Sequence, residues 1–298
     1  MTLAAATPHQ YARLLRLATY ASVVTATVLI VGKLTAVLLT GSVSVMASLI
    51  DSLMDVAASL INLFAVRYSL MPADEEHRFG HGKAESLAGL AQAMFIAGSA
   101  LFLMLHAVDR LLNPQPLHAI GVGIGVMIFA IAATMILLAI QRYVIARTGS
   151  TAVRADSLHY MTDLLTNASI IVALALSMTG WPGLDPIFAL GIAFYILHSA
   201  WTIGHEAFHL LMDRELPDSD RERIRQIALA HPEVRGLHDL RSYRSGQREI
   251  VQFHMELDGS LSLREAHGIT EAVLGDIQKA YPVADIVIRQ DPVNHAAP

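Results

Sequence analysis

The chain has no cysteine and few charged residues for its length. Of its 298 residues, 54% are hydrophobic and only 16% are charged. The missing thiols exclude disulfides and thiolate metal sites, so any bound metal must be held by His, Asp or Glu. The low charge content excludes an ordinary soluble domain and indicates a membrane protein. The net charge is −5 and no basic stripe is present, so we expect no nucleic-acid partner.

Long apolar segments are abundant and predict six membrane-spanning helices. Crossing the hydrocarbon core takes about 20 mostly apolar residues. The windows that meet this length are residues 17–39, 43–68, 87–112, 120–140, 158–178 and 184–211. The sequence therefore predicts an α-helical protein that crosses the lipid bilayer six times.

Basic residues between these windows predict the orientation, because cytoplasmic loops are enriched in Lys and Arg. The basic residues predicted on one side of the membrane are Arg13, Arg16, Arg67, Arg78, Lys83, Arg142, Arg147 and Arg154. The other side has only Arg110, near the link between the third and fourth spans. Both termini are therefore expected in the cytoplasm, and Arg147 and Arg154 are expected in the connection between the fourth and fifth spans.

The composition changes after about residue 213 to that of a small soluble domain. We therefore predict a transmembrane domain over residues 1–213 and a cytoplasmic domain over residues 214–298. The second part reads as a helix, two alternating strands around a Ser245–Gly246 turn, a helix with a Ser262–Glu265 capping box, and a short strand. This αββαβ order predicts a metallochaperone-like (ferredoxin-like) domain with helices on one face of a sheet.

Two predicted spans carry polar pairs one helical turn apart. Asp51 and Asp55 lie on the second span, and His159 and Asp163 lie on the fifth. At 3.6 residues per turn, each pair shares one helix face. A carboxylate at the centre of a span costs roughly 3 kcal/mol on insertion scales, so these groups require compensation. Each could be an interior polar group that is hydrogen-bonded to a neighbouring helix. Two such pairs on separate helices instead favour the binding of one shared ion by all four side chains.

The four side chains would form one metal site if the two helices face each other. Three carboxylates and one imidazole suit Zn²⁺, and Fe²⁺, Mn²⁺ or Cd²⁺ can use the same ligands. Without metal the like charges repel, so one or more of the groups should hold protons. Such competition between metal and protons is what a proton-driven metal exporter requires. His159 is the preferred proton carrier, because an imidazole titrates near neutrality and must be neutral to bind metal.

A loop between the second and third spans contains another group of possible ligands. Asp74, His77 and His81 lie close together in the chain, and Gly80 and Gly82 would let the backbone fold tightly around a small ion. The alternative is a solvated loop with incidental histidines.

The predicted hairpin of the cytoplasmic domain brings two histidines together. If the strands turn about Gly246, residues numbered symmetrically around it face each other, and His238 and His254 satisfy this relation. Opposed residues have Cβ atoms about 5 Å apart, which lets two imidazoles share one ion. The alternative is that they are ordinary surface residues of a polar sheet.

Other polar residues in the spans have simpler explanations. We expect Lys33 to snorkel or to face the dimer or a neighbouring helix. Asn62, Gln92, Gln141 and Asn167 are expected to join helices through hydrogen bonds.

These motifs resemble those of the cation diffusion facilitator family, and specifically its bacterial zinc and iron efflux pumps. "DSLMD" and "HYMTD" stand where the family has its transport site, and "PADEEHRFGHGKAESLA" is similar to its loop between the second and third spans. The likeness covers about residues 12–292. It implies a homodimer in the bacterial inner membrane that exchanges divalent metal for protons by alternating access.

The resemblance also implies roles for single residues. It assigns metal binding to the loop group, and it pairs Lys83 with Asp213 as an interlock between subunits or between membrane and soluble parts. It makes Asp291 a bridging carboxylate and His267 a ligand of a second ion. The sequence departs from the family's pattern at Arg289, where the resemblance implies another histidine. Because an Arg cannot bind a metal, the prediction retains His238, His254 and Asp291, with His267 as a further candidate.

The predicted function is proton-coupled export of a divalent metal, and two alternatives remain open. An intramembrane metal-dependent enzyme should have a water-activating Glu beside a His pair, as in HExxH, and the sequence has no such motif. A passive channel or receptor for divalent metal could use the same ligands.

Overall fold

A computed structural model describes residues 8–40, 43–112, 121–177 and 184–293 of the chain. The chain divides into two compact units. The first contains Met1–Met71 and Ala84–Phe208, and the second contains Pro72–Lys83 and His209–Pro298. The loop between the second and third helices therefore belongs to the same unit as the C-terminal domain.

Six long helices form the first unit and its borders. They are α1 (Pro8–Thr40), α2 (Val43–Ser69), α3 (Lys83–Leu112), α4 (Gly121–Thr148), α5 (Thr151–Ser177) and α6 (Leu184–Leu211). Within the described residues, four of them contain stretches long and apolar enough to cross a membrane: His9–Leu39, Lys83–Asp109, Gly125–Thr148 and Ile187–Leu211. The other two, α2 and α5, carry the predicted polar pairs, and the count of six spans stays a prediction. The predicted span edges at Ile120 and Met178 lie outside the described residues.

The connection between α4 and α5 is shorter than expected. Arg147 lies in the last turn of α4, and Arg154 lies in the first turn of α5, so neither is in a loop. Gly149 ends α4 with φ 63° and donates its backbone N–H to Ile145 O at 2.8 Å. Ser150 then caps α5 by accepting from the Val153 N–H. Both arginines still lie between the predicted windows, because apolar windows mark only the hydrocarbon crossing, whereas caps mark where a helix ends.

Small residues fill the helix interfaces, and large apolar residues face outward. Ala93, Ala100, Ala155 and Ala200 lie in one buried cluster formed by α3, α5 and α6. The outward-facing set includes Phe102, Leu105 and Trp201, each at least 70% exposed. Close packing through small residues with an apolar exterior is typical of helices that associate within a bilayer.

The second unit contains a small sheet with two helices. The element order is α7 (Asp218–Leu229), β1 (Gly236–Ser245), β2 (Arg248–Leu257), α8 (Leu263–Ala280) and β3 (Asp285–Pro292), as predicted. The sheet order is β1-β2-β3, with β1 antiparallel and β3 parallel to β2. The predicted capping box at Ser262 and Glu265 is confirmed.

Strand alternation decides which face of this sheet is covered. Val251, Phe253, Met255 and Leu257 of β2 are buried in the core with residues of α7 and α8. Because successive strand residues point to opposite faces, His254 lies on the face away from the helices. The side chains on that face do not join the apolar core of the domain.

Candidate metal centres

Three groups of acidic and His side chains lie close enough to hold an ion, among the residues described. Within each group, one ligand atom per residue lies within 4.8 Å of the others. We call Asp55, His159 and Asp163 the helix cluster; Asp74, His77 and His81 the loop cluster; and His238, His254 and Asp291 the sheet cluster.

The helix cluster joins α2 to α5. His159 Nε2 lies 3.1 Å from Asp55 Oδ1, and the two residues are only 9% and 6% exposed. Asp163, one turn after His159 on α5, supplies a second carboxylate and is half-buried. Asp51 belongs to α2, but its side chain lies outside the described residues. Three of the four predicted ligands therefore converge, and metal binding by them stays a prediction.

A buried polar network holds α5 beside the other helices. Asp156 is 1% exposed and accepts hydrogen bonds from Ser22 Oγ at 2.5 Å, Gln141 Nε2 at 2.8 Å and Gln92 Nε2 at 3.2 Å. The donors come from α1, α4 and α3, so one carboxylate connects four helices. The expectation that Gln92 and Gln141 join helices is confirmed. Sequence reasoning missed Asp156, although it shares a helix face with His159 and Asp163 at a spacing of three and seven residues.

Lys33 faces a neighbouring helix, which was one of its expected placements. Its Nζ donates to Ser52 Oγ on α2 at 2.6 Å, and the residue is 8% exposed. It lines a cavity of about 210 Å³ together with Asp55 and Asp163. The helix cluster therefore opens into a space that also contains a basic side chain.

The loop cluster is organised around Asp74. His77 Nδ1 lies 3.4 Å from Asp74 Oδ1, and His81 Nε2 lies 3.3 Å from Asp74 Oδ2. The backbone N–H of His77 donates to Asp74 and holds the pKa of that carboxyl below its usual range. Gly80 has φ 80°, as a tight turn requires. The loop thus presents a charged carboxylate between two imidazoles.

Gly82 is required for a different reason from the one expected. A Cβ at this position would lie 2.6 Å from the carbonyl carbon and oxygen of Ser245. The glycine therefore permits close packing of the loop on the β1–β2 turn rather than tight folding around an ion. Beside it, Lys83 Nζ lies 2.8 Å from Asp213 Oδ1. Both charges are 43% exposed, so the pair adds little stability by itself, and its interlock role stays a prediction.

The sheet cluster lies on the uncovered face of the sheet. His238 pairs with His254 across β1 and β2, and their ring centroids are 5.0 Å apart. Asp291 Oδ2 lies 2.9 Å from His254 Nδ1 and 3.6 Å from His238 Nε2. The predicted pairing of the two histidines is confirmed, and the third predicted ligand lies beside them.

The pairing depends on a bulge that the sequence argument did not include. Near the turn, Ser245 faces Arg248 and Arg241 faces Gln252, so the hairpin is symmetric about the midpoint of residues 246 and 247. That register alone would place His238 opposite Met255. The register shifts between His238 and Arg241, where Asp239 adopts φ 48°. The extra residue of this bulge brings His238 opposite His254.

Arg289 and His267 differ in their relation to the sheet cluster. Arg289 Nε lies 3.1 Å from Asp291 Oδ1, so the carboxylate contacts a guanidinium on one oxygen and the two imidazoles on the other. His267 lies exposed on α8 and belongs to none of the three groups. Sequence reasoning also missed Asp239 and Glu256, whose carboxylates lie 3.8 Å from His254 Nε2 and 3.7 Å from His238 Nε2.

Comparisons with known proteins cover both units. Residues 19–212 match the cation efflux transmembrane domain, and residues 216–293 match the cytoplasmic domain of cation efflux proteins. The cation-efflux pump FieF of Pectobacterium atrosepticum is 53% identical over 287 residues, which are 96% of this chain and 95% of that protein. FieF of Klebsiella pneumoniae subsp. pneumoniae is 51% identical over 284 residues, or 95% of each chain.

Among solved structures, the zinc form of CzrB is similar to part of the chain. It is 27% identical with a TM-score of 0.27, and the match covers 29% of this chain and 99% of that one. The two domain matches and the extent of the identity to FieF pumps decide the family: the chain belongs to the cation efflux, or cation diffusion facilitator, family of membrane transporters.

Proposed function

We propose that the protein exports divalent transition metal from the cytoplasm in exchange for protons. The observation that carries this proposal is the helix cluster, in which Asp55 on α2 and His159 on α5 meet at 3.1 Å inside the helical unit. The relatives that are more than half identical are named cation-efflux pumps. The substrate site is formed by Asp51, Asp55, His159 and Asp163.

Proton coupling follows from the chemistry of these ligands. Metal binding requires a neutral imidazole and ionised carboxylates, whereas the empty site in a buried environment favours protons. Each ion that leaves on one side is therefore replaced by protons from that side. His159 carries one of them, because an imidazole changes charge closest to neutral pH.

Zn²⁺ is the principal substrate in this proposal. A shell of one nitrogen and three oxygens suits zinc, and Fe²⁺, Cd²⁺ and Mn²⁺ accept the same ligands with different geometry. The protein works as a homodimer in the bacterial inner membrane, with six spans and both termini in the cytoplasm. Residues 1–213 form the transmembrane domain, and residues 214–298 form a ferredoxin-like cytoplasmic domain.

The loop and sheet clusters have a regulatory role in the proposal. Bound metal neutralises their carboxylates and reduces repulsion between the cytoplasmic domains of two subunits, which favours one conformation of the pump. His238, His254 and Asp291 bind the ion of the sheet cluster, and the loop cluster binds another. The Lys83–Asp213 pair is an interlock between subunits or between the membrane and soluble parts.

Transport in proteoliposomes tests the exporter against its alternatives. We expect zinc flux that responds to a pH gradient and changes the lumenal pH, and we expect Asp55→Asn to stop it. Asp109→Asn, an exposed acid on α3, is the matched control and should behave as wild type. Flux that follows voltage and ignores pH would identify a channel. Absence of flux from well-folded wild type would reject transport altogether.

The regulatory role has its own test. The double variant His238→Ala/Asp291→Ala should change how transport depends on metal concentration while leaving the helix cluster intact. If the double variant shows the same metal dependence as wild type, the sheet cluster has no part in regulation.

A further inference from the structure

Lys33 is a buried base within an apolar stretch of α1. Its neighbours on α1 form the run "TVLIVGKLTAVLL", and the residue is 8% exposed. A buried ammonium is costly unless negative charge or strong acceptors surround it. Its Nζ donates a hydrogen bond to the neutral Ser52 Oγ at 2.6 Å.

The cavity beside the helix cluster supplies the negative charge. Its lining includes Lys33 from α1, Asp55 from α2 and Asp163 from α5, with Thr134 and Asn167 as neutral polar groups. Lys33 is the only basic residue among the described residues that line this cavity. Ser52, which holds the ammonium, precedes Asp55 by three residues on α2 and so shares its helix face.

We propose that Lys33 is the resident countercharge of the transport site. Its ammonium stabilises the carboxylates of Asp55 and Asp163 when the metal has left. When a divalent cation is bound, the same charge repels it across the cavity, where little water screens the interaction. Lys33 thereby weakens metal binding and speeds release, and the inference rests on the proposed transport function.

A purely structural role makes a different prediction. If Lys33 only joined α1 to α2 through Ser52, any side chain able to donate to that hydroxyl would replace it. If its charge matters, a neutral donor should fail and a charged substitute should succeed. The matched variants are therefore Lys33→Gln, which can donate without charge, and Lys33→Arg, which keeps the charge.

Zinc flux in proteoliposomes measures the effect. We expect Lys33→Gln to lower KM about tenfold and to lower kcat by a similar factor, since removing repulsion strengthens binding and slows release. Lys33→Arg should stay within about twofold of wild type in both constants. Ser52→Ala removes the hydrogen bond to Lys33 but keeps the ammonium, and it should change KM measurably, by about twofold to threefold, which is less than the change in Lys33→Gln.

Three outcomes would overturn the countercharge role. KM that is unchanged or raised in Lys33→Gln contradicts repulsion of the metal. Equal impairment of Lys33→Arg and Lys33→Gln indicates a role in packing alone. If neither Lys33 variant folds, an unaltered KM in Ser52→Ala contradicts the role, because loss of this hydrogen bond should change the distance between the ammonium and the ion.

The same assay separates this inference from the proposed function. Wild type that transports zinc, together with inactive Asp55→Asn and a wild-type-like Lys33→Gln, rejects the countercharge alone. Folded wild type that moves no divalent metal rejects the transport function itself.

Discussion

The helix cluster and the sheet cluster use the same kinds of ligand in surroundings that differ in access to water. Side chains of His159 and Asp55 are 11% and 8% exposed, whereas those of His238 and His254 are 32% and 23% exposed. Water can solvate the ligands of the sheet cluster when it is empty. The empty helix cluster must instead balance its charge internally, through protons or the nearby Lys33. In the helix cluster, we therefore expect metal binding to depend on nearby charges and protons. In the sheet cluster, we expect this dependence to be weaker, because water reaches the side chains.

The two clusters also differ in how the backbone positions their ligands. His159 and Asp163 share a face through regular helical spacing, and many residues of α5 would have to move to separate them. His238 and His254 meet through a single bulge at Asp239. The helix cluster is thus maintained by a long element and its packing, and the sheet cluster by one local conformation.

The largest predicted effect is on zinc flux, and it should differ between variants of the helix cluster and the sheet cluster. Asp163→Asn should reduce zinc flux about 100-fold or more, because it removes a charged side chain of the proposed transport site. His254→Asn should reduce flux only about fivefold, as expected for loss of a regulatory coupling. Flux assays on both variants check this order. Equal losses would show that the sheet cluster belongs to the translocation path or is required for folding.

A second variant tests whether Asp156 stabilises the helix packing or binds metal. Asp156→Leu removes the acceptor shared by Ser22, Gln92 and Gln141, and we expect it to lower the free energy of unfolding by about 2 kcal/mol. Gln92→Leu removes one of these bonds and should cost about 0.6 kcal/mol. Denaturation of the full chain in detergent measures both. Unchanged stability of Asp156→Leu with lost metal binding would instead make Asp156 a ligand.

The sequence predicted some of these features better than others, for physical reasons. The sharing of one helix face by His159 and Asp163 follows from the helical period, which is a local property. Their meeting with Asp55 required the further assumption that α2 and α5 face each other, which the cost of buried charge favoured. The network of Asp156 joins four helices, so its partners depend on tertiary packing that no spacing reveals. The facing histidines were predicted from symmetry about Gly246, yet the observed symmetry near the turn differs by half a residue, and the bulge restores the pair. The bulge contains no glycine, so the sequence offered no signal from which to predict it.

The bulge gives the third prediction. Asp239→Val places a β-branched residue at φ 48° and should cost roughly 1–2 kcal/mol there. The strand would favour the regular register, with His238 opposite Met255 and turned to the other face. We expect zinc affinity of the sheet cluster to fall about tenfold. Calorimetric titration of the full chain measures it.

A glycine variant is the control for this backbone effect. Asp239→Gly also removes the carboxylate near His254, but it accepts positive φ without strain. It should therefore keep most of the affinity that Asp239→Val loses. Equal loss in both variants would mean that the Asp239 carboxylate itself contributes to metal binding.

The last variant tests an exposed carboxylate that lies outside the three clusters. Ser262 Oγ and the Ser262 N–H donate to Glu265 Oε2 at 2.7 and 2.8 Å, and they lower the pKa of Glu265. Because its folded pKa lies below the unfolded value, this stabilisation is present above the unfolded pKa and is lost as pH falls through the folded pKa. Ser262→Ala should weaken the start of α8 by about 1 kcal/mol at neutral pH through loss of the cap. The difference from wild type should shrink below about pH 4. Hydrogen exchange of α8 amides measures both values, and a difference that grows in acid would contradict the assigned hydrogen bonds.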